Sequence, residues 1–231
     1  LLHGVTGSGK TIVYLKAMKE VLKAGKSVLF LLPEINLTPQ FVETFRKYLD
    51  APIYSYHSSV SQSDKFGLWA LLQSNDSPKV IIGVRSSLFL PIQNLGLIIT
   101  DEEHDQSFKQ DDRCPYHARD LAIKRGHLLD IPVVLGSATP SLESYKGFKD
   151  SGDYVPLKTR VGEGRLPNVR LLDMRDKEKT SQESWPFHED SLELMRQAFE
   201  KGEQVLVFIN KLGYANYLQC RHCGHRFECP N

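Results

Sequence analysis

The chain has 231 residues, with 29 Lys and Arg against 28 Asp and Glu and a formal net charge of +1. That balance excludes a general coat of positive charge, so any nucleic-acid contact must be local. Hydrophobic content of 41% with 25% charged residues describes a soluble globular chain that can bury a sizeable core, with no apolar run near the ~18 residues of a membrane span.

The first element is a stub, Leu1–His3, that feeds Gly4-Val5-Thr6-Gly7-Ser8-Gly9-Lys10-Thr11, a match to G-x-x-x-x-G-K-[ST]. Thr11–Lys23 then carries Ile12, Leu15, Met18 and Leu22 on one helical stripe and stops near Gly25. Five apolar runs without alternation read as parallel strands covered on both faces: Val28–Leu32, Val80–Val84, Leu95–Thr100, Ile131–Leu135 and Val205–Ile209. Thr38-Pro39 supplies a cap and an N1 proline for a helix with Phe41, Val42, Phe45 and Leu49 on its apolar face. Further helices are expected near Gln62–Gln73, His117–Leu129 and Asp190–Lys201, with Trp69 taken as core beside Leu68, Leu71 and Leu72. From about Gly147 to Phe187 the texture turns to Gly, Pro and mixed charge, with Tyr154–Leu157 and Val169–Met174 as further strand candidates and Arg175–Ser184 as the most linker-like stretch. Strand–helix alternation at this spacing predicts a three-layer α/β fold with a parallel sheet. The opening stub and the closing Cys229-Pro230-Asn231 read as cut ends of a longer protein.

Every chemically suggestive cluster directly follows an expected strand: Gly4–Thr11, Pro33–Gln40, Arg85–Ser87, Asp101–His104 and Gly136–Pro140. In a parallel sheet all five emerge on the carboxyl edge, where ligands of open α/β folds bind. The glycine loop lets backbone N–H groups curl around phosphate oxygens, Lys10 can neutralise the β/γ-phosphates of ATP, and the Thr11 hydroxyl can ligate Mg²⁺. Asp101, at the end of an apolar strand, is assigned to Mg²⁺ and Glu102 to the attacking water. Ser137 and Thr139 of Gly136-Ser137-Ala138-Thr139-Pro140 fit either a turn with a helix cap or hydroxyls that sense the nucleotide state beside the acidic cluster. Cys220-x₂-Cys223-Gly224 reads as a zinc knuckle or a redox pair; Cys229 follows it, and Cys114 stands apart as a structural or loop thiol. This is not a secreted disulfide framework, and a cytoplasmic location is expected.

The phosphate loop, the Asp101-Glu102-Glu103-His104 box and Ser137-Ala138-Thr139 are similar to motifs I, II and III of superfamily 2 helicases. With Leu32-Pro33-Glu34-Ile35-Asn36-Leu37-Thr38-Pro39-Gln40, His57-Ser58, Ile82-Gly83-Val84-Arg85-Ser86-Ser87, Tyr116-His117-Ala118-Arg119-Asp120 and the Cys-rich terminus, the chain resembles the PriA-type replication-restart helicases over essentially its whole length. The resemblance implies a RecA-like P-loop lobe over residues 1–176, a linker and the start of a second lobe over 177–219, and the start of a zinc-binding insertion over 220–231. It also implies ATP-driven 3′-to-5′ unwinding of DNA at stalled forks, loading of the replicative helicase, and primosome proteins and single-strand-binding protein as partners, with no membrane. By the same resemblance, Cys220 and Cys223 share one zinc ion and Cys229 serves another. Where family members often carry an Arg pair after Asn, this sequence has Asn210-Lys211-Leu212-Gly213-Tyr214, and the late motifs with the arginine finger lie beyond Asn231.

For DNA, Thr38 and Ser86 stand at expected helix starts that can offer amides and hydroxyls to a phosphate, with Arg85 beside them as either a DNA contact or a surface cation. Phe108 and Tyr116, among Lys109, Gln110, Arg113 and Arg119, suit either packing or base stacking. The resemblance to an aromatic-rich loop favours stacking, with the loop joining the DNA contact to Glu102 and His104. Rivals are a different superfamily 2 motor (an RNA helicase or restriction translocase) and a zinc-containing DNA-binding scaffold with a nucleotide switch.

Overall fold

The computed structural model describes residues 1–112, 114–161, 167–174, 186–208, 218–219 and 226–227. The chain divides into two compact units, Leu1–Leu166 and Pro167–Asn231.

The first unit is built on one seven-stranded sheet. Its strands are β1 (Leu2–Gly4), β2 (Ser27–Leu31), β3 (Ile53–Tyr56), β4 (Val80–Gly83), β5 (Leu95–Asp101), β8 (Val133–Ser137) and β9 (Val155–Leu157). A short antiparallel pair, β6 (Lys109–Gln110) and β7 (Tyr116–His117), lies between β5 and β8 in the chain. The sheet order is β3-β4-β2-β5-β8-β1-β9, and every neighbouring pair is parallel. Five helices connect the strands: α1 (Lys10–Lys23), α2 (Pro39–Tyr48), α3 (Gln62–Ser74), α4 (Ala118–Leu129) and α5 (Leu142–Ser151).

Alternate residues of β2 face opposite layers. Val28 and Phe30 join a buried cluster with Tyr14 and Met18 of α1 and Val42 and Phe45 of α2. Leu29 and Leu31 join Leu68 and Leu72 of α3 and Ala118 and Ala122 of α4. Both faces of the central strands are therefore covered, which is why their sequences run apolar without alternation. Helix starts are set locally: Thr38 Oγ1 accepts the Phe41 N–H ahead of Pro39, Ser61 accepts from Asp64, and Ser141 accepts from Ser144.

Strands β2, β4, β5 and β8 fall within two residues of the apolar runs that signalled them. Strand β3, the β6–β7 pair and α5 are additional. Strand β3 is half-buried along its length and lacks a continuous apolar run, and α5 begins at the Ser141 cap inside a polar stretch. Trp69 is a correction: it is 43% exposed, because α3 buries Leu68 and Leu72 and turns Phe66 and Trp69 outward.

The second unit contains α6 (Glu189–Glu200) and a two-residue antiparallel pair, β10 (Leu218–Gln219) with β11 (Arg226–Phe227). The strand expected at Val205–Ile209 is not formed in its described part: residues 203–208 carry no strand, and Leu206 and Phe208 are exposed. Residues 169–174 are not a strand either. The linker-like stretch Arg175–Ser184 lies outside the described residues.

Candidate functional site

The carboxyl ends of β1 and β5 meet across a cavity of ≈ 370 Å³ lined by Val5–Ile12, Asp101, Glu102 and Val161. Strand β8 lies between them in the sheet, so residues nearly a hundred positions apart in the chain share one wall. In the loop, Gly7 and Gly9 adopt φ of 80° and 90°, a left-handed turn that glycine enters without strain. Helix α1 then starts with no side-chain cap and no acidic residue in its first turn, which leaves its first amides and its positive end for an anion. Ser8 Oγ is buried there without a protein partner, and Lys10 Nζ donates to the Gly4 carbonyl at 2.7 Å. This cradle fits a polyphosphate. Thr11 and Asp101 on the same walls supply the hard oxygen ligands that Mg²⁺ prefers.

The three carboxylates of the acidic turn have three different surroundings. Asp101 Oδ1 accepts a 2.8 Å hydrogen bond from the Tyr14 hydroxyl. Burial raises the Asp101 carboxyl above its usual range against the pull of that hydrogen bond and of Lys10, while the Glu102 charge adds to the rise. Burial and the Asp101 charge likewise push the Tyr14 phenol upward, so it stays a donor. Glu102 lines the cavity in a left-handed backbone conformation, φ 50°. Glu103 is turned away and 0% exposed. It accepts from the Ser141 amide at 2.8 Å, the Ser144 hydroxyl at 2.9 Å and Arg119 at 3.2 Å. Although burial opposes its charge, hydrogen bonds to Asp120 and Glu103 hold the Arg119 guanidinium above its ordinary range.

His104 is brought together with both hydroxyls of the loop after β8. Its Nδ1 lies 2.8 Å from Ser137 Oγ and its Nε2 3.2 Å from Thr139 Oγ1, while the Thr139 amide donates to Ser137 Oγ at 2.9 Å. Both neutral tautomers satisfy the three bonds: Ser137 donates to Nδ1 while Nε2–H donates to Thr139, or Nδ1–H donates to Ser137 while Thr139 donates to Nε2. Nδ1 also stands 3.7 Å from Glu102 Oε2, so the hydroxyl loop reaches the acidic turn through one imidazole.

The remaining candidates divide. Thr38 is exposed at the mouth of a ≈ 680 Å³ groove shared with Gln40, Arg46, Lys47 and His57, with its hydroxyl engaged as the α2 cap. Ser86 is exposed in a 3₁₀ turn over Arg85–Phe89. Arg85 is not a free cation: it donates to the carbonyls of Lys109 at 2.6 Å and Ser107 at 3.2 Å, tying that turn to the segment after the acidic box. Phe108 is a correction. At 1% exposure it lies in the apolar layer with Leu29, Ile98 and Ala118, so no base can stack on it without opening the core. The aromatic that is available is Phe89, 61% exposed and edge-on to half-buried Tyr116 at 5.2 Å between ring centroids. Sequence reasoning missed Phe89, Tyr14 and the Glu103–Arg119 pair; only the adjacency of Phe89 to Arg85-Ser86 pointed to any of them. Cys114 is a free, exposed thiol, and Cys220, Cys223 and Cys229 lie outside the described residues.

Residues 1–148 match the DEAD/DEAH box helicase family. The replication restart protein PriA of Bacillus subtilis (strain 168) is 42% identical over 232 residues, covering 100% of this chain and 29% of that protein. The proteins of that name from Chlamydia pneumoniae and Haemophilus influenzae are 44% and 43% identical, each over 100% of this chain and 31% of their own length. The chain thus spans about three-tenths of the length of these relatives. Among the described residues no helix is long and apolar enough to cross a membrane.

Proposed function

Since the chain belongs to the DEAD/DEAH box helicase family, we propose that it is the ATP-hydrolysing part of a cytoplasmic DNA helicase of replication restart. In this reading it unwinds forked DNA 3′ to 5′ at stalled forks and prepares them for loading of the replicative helicase, with primosome proteins and single-strand-binding protein as partners. The observation that carries the reading is the single cavity lined by both the phosphate loop and the Asp101–Glu102 turn.

The amides of the loop and of the α1 start bind the phosphates, and Lys10 leaves the Gly4 carbonyl to neutralise them. Thr11 and Asp101 hold Mg²⁺, which when bound offsets the charge that develops on the phosphoryl oxygens. Glu102 orients the attacking water. His104 passes the state of that site to Ser137 and Thr139. DNA lies over Thr38, Ser86, Phe89 and Tyr116, and Arg85 holds the segment between acidic box and α4 in register with it.

Residues 1–176 form the first helicase lobe, 177–219 the linker and the start of the second, and 220–231 the start of a zinc-binding insertion. Leu218–Gln219 pairs antiparallel with Arg226–Phe227. The test is phosphate release by the full-length protein with no nucleic acid, single-stranded DNA, forked DNA and RNA. Stimulation by DNA is expected; a response to RNA alone, or to none of them, overturns the reading.

A further inference from the structure

Asp101 ends β5 directly opposite Gly136 of β8, and Tyr14 of α1 reaches the junction from the neighbouring layer. Tyr14 is 1% exposed, and its ring is fixed edge-on against Phe30 at 5.6 Å between centroids. Its hydroxyl therefore has one place to go, and it spends its single proton on Asp101 Oδ1 at 2.8 Å. Position 136 has to be glycine for this to happen: a Cβ there would overlap the Tyr14 hydroxyl and come within 3.1 Å of Asp101 Oδ1. Helix geometry adds a second relation. Tyr14 follows Thr11 by three residues on α1, and Thr11 lines the same cavity as Asp101.

We propose that Tyr14 is a positioning residue for the magnesium site: its hydroxyl, admitted by Gly136, clamps Asp101 in the orientation that meets a cation shared with Thr11. The proposal rests on the assignment of Asp101 and Thr11 to Mg²⁺ in the function proposed above. A carboxylate accepts up to about four hydrogen bonds or metal contacts, so engaging Oδ1 leaves the group able to bind a cation while removing its freedom to rotate. Partners of this kind, one step behind the metal ligand, typically set affinity by 10–100-fold.

The test is Mg²⁺-dependent binding of a fluorescent, non-hydrolysable ATP analogue to the full-length protein, with thermal melting alongside. Tyr14→Phe keeps the ring in the core and removes only the hydroxyl. It should leave binding in the absence of Mg²⁺ close to that of the parent and move the Mg²⁺ midpoint upward about tenfold or more. Gly136→Ala should produce the same shift although the hydroxyl is retained. A parent midpoint in Tyr14→Phe, whatever happens to its melting temperature, overturns the proposal and leaves a hydroxyl that merely satisfies its own burial. If instead the parent protein binds the analogue without regard to Mg²⁺, or Lys10→Ala binds it as the parent does, the nucleotide site itself is misassigned and the proposal falls with it.

Discussion

Glu103 and Arg119 meet at 3.2 Å with the carboxylate wholly buried, and the serines that begin α5 complete its shell of donors. The pair joins three segments: the turn after β5, the first turn of α4 and the start of α5. Removing one partner leaves a buried charge uncompensated, which costs about 3–5 kcal/mol. Arg119→Ala should therefore lower the urea midpoint markedly, while Ser141→Ala costs about 1 kcal/mol as a lost cap. Parent-like unfolding of Arg119→Ala would show that the pair does not hold these segments together.

Hydrolysis and binding should separate at the cavity. Glu102→Gln keeps the volume of the side chain and removes its charge, so the full-length protein should bind ATP with Mg²⁺ and lose about 10²–10⁴-fold in turnover. Lys10→Ala should weaken nucleotide binding itself. Equilibrium binding and phosphate release, measured on both variants, check the two assignments. Turnover by Glu102→Gln at the parent rate would remove Glu102 from the chemistry.

Phe108 and Phe89 should behave in opposite ways. Phe108→Ala opens a cavity in the layer under β2 and should cost about 3–5 kcal/mol of stability. Phe89→Ala should leave melting near that of the parent, and Tyr116→Ala, which removes a half-buried ring packed on the same layer, should cost less than Phe108→Ala. Each should weaken single-stranded DNA binding by about 1–3 kcal/mol if a base stacks there. Calorimetric melts with DNA titrations at one fixed salt concentration decide the matter. Unchanged DNA affinity in the Phe89 and Tyr116 variants would move the interface elsewhere.

Acid sensitivity should trace to His117. Burial, reinforced by the Arg119 charge, pushes its imidazole below the usual range, and its buried Nδ1 has no protein partner at the N-terminus of α4. The unfolded chain thus binds a proton that the folded chain refuses. This contribution to stability is complete above the ordinary histidine pKa and is lost as the pH falls toward the lower folded value. Replacing His117 with Asn should flatten the slope of the urea midpoint between about pH 7 and 5. An unchanged slope would assign the acid sensitivity to other groups.

How far the sequence could be read follows from what each signal depends on. Strands β2, β4, β5 and β8 were legible because helices on both faces demand uninterrupted Val, Ile and Leu. Strand β3 was not, since Ile53-Tyr54-Ser55-Tyr56 is half-buried and mixes polar with aromatic residues. On α3, Phe66, Leu68, Trp69, Leu71 and Leu72 surround the axis, so periodicity alone could not choose which stripe turns inward. In the site, the phosphate loop and the acidic turn are local motifs and stand out. The contacts that organise them are not local: Tyr14 with Asp101, and Glu103 with Arg119 and Ser141, exist only because the strand order sets their elements side by side.

Glu102 occupies backbone that suits glycine better than any residue with a side chain. In the function proposed above, the position is therefore under two opposed demands, one from chain geometry and one from the reaction. Among descendants that no longer need to split ATP, the second demand vanishes and the first remains. Position 102 should then drift toward glycine or asparagine sooner than Asp101 or Lys10 drifts from its own identity, which makes it an early marker of a gene copy that has stopped working as a motor.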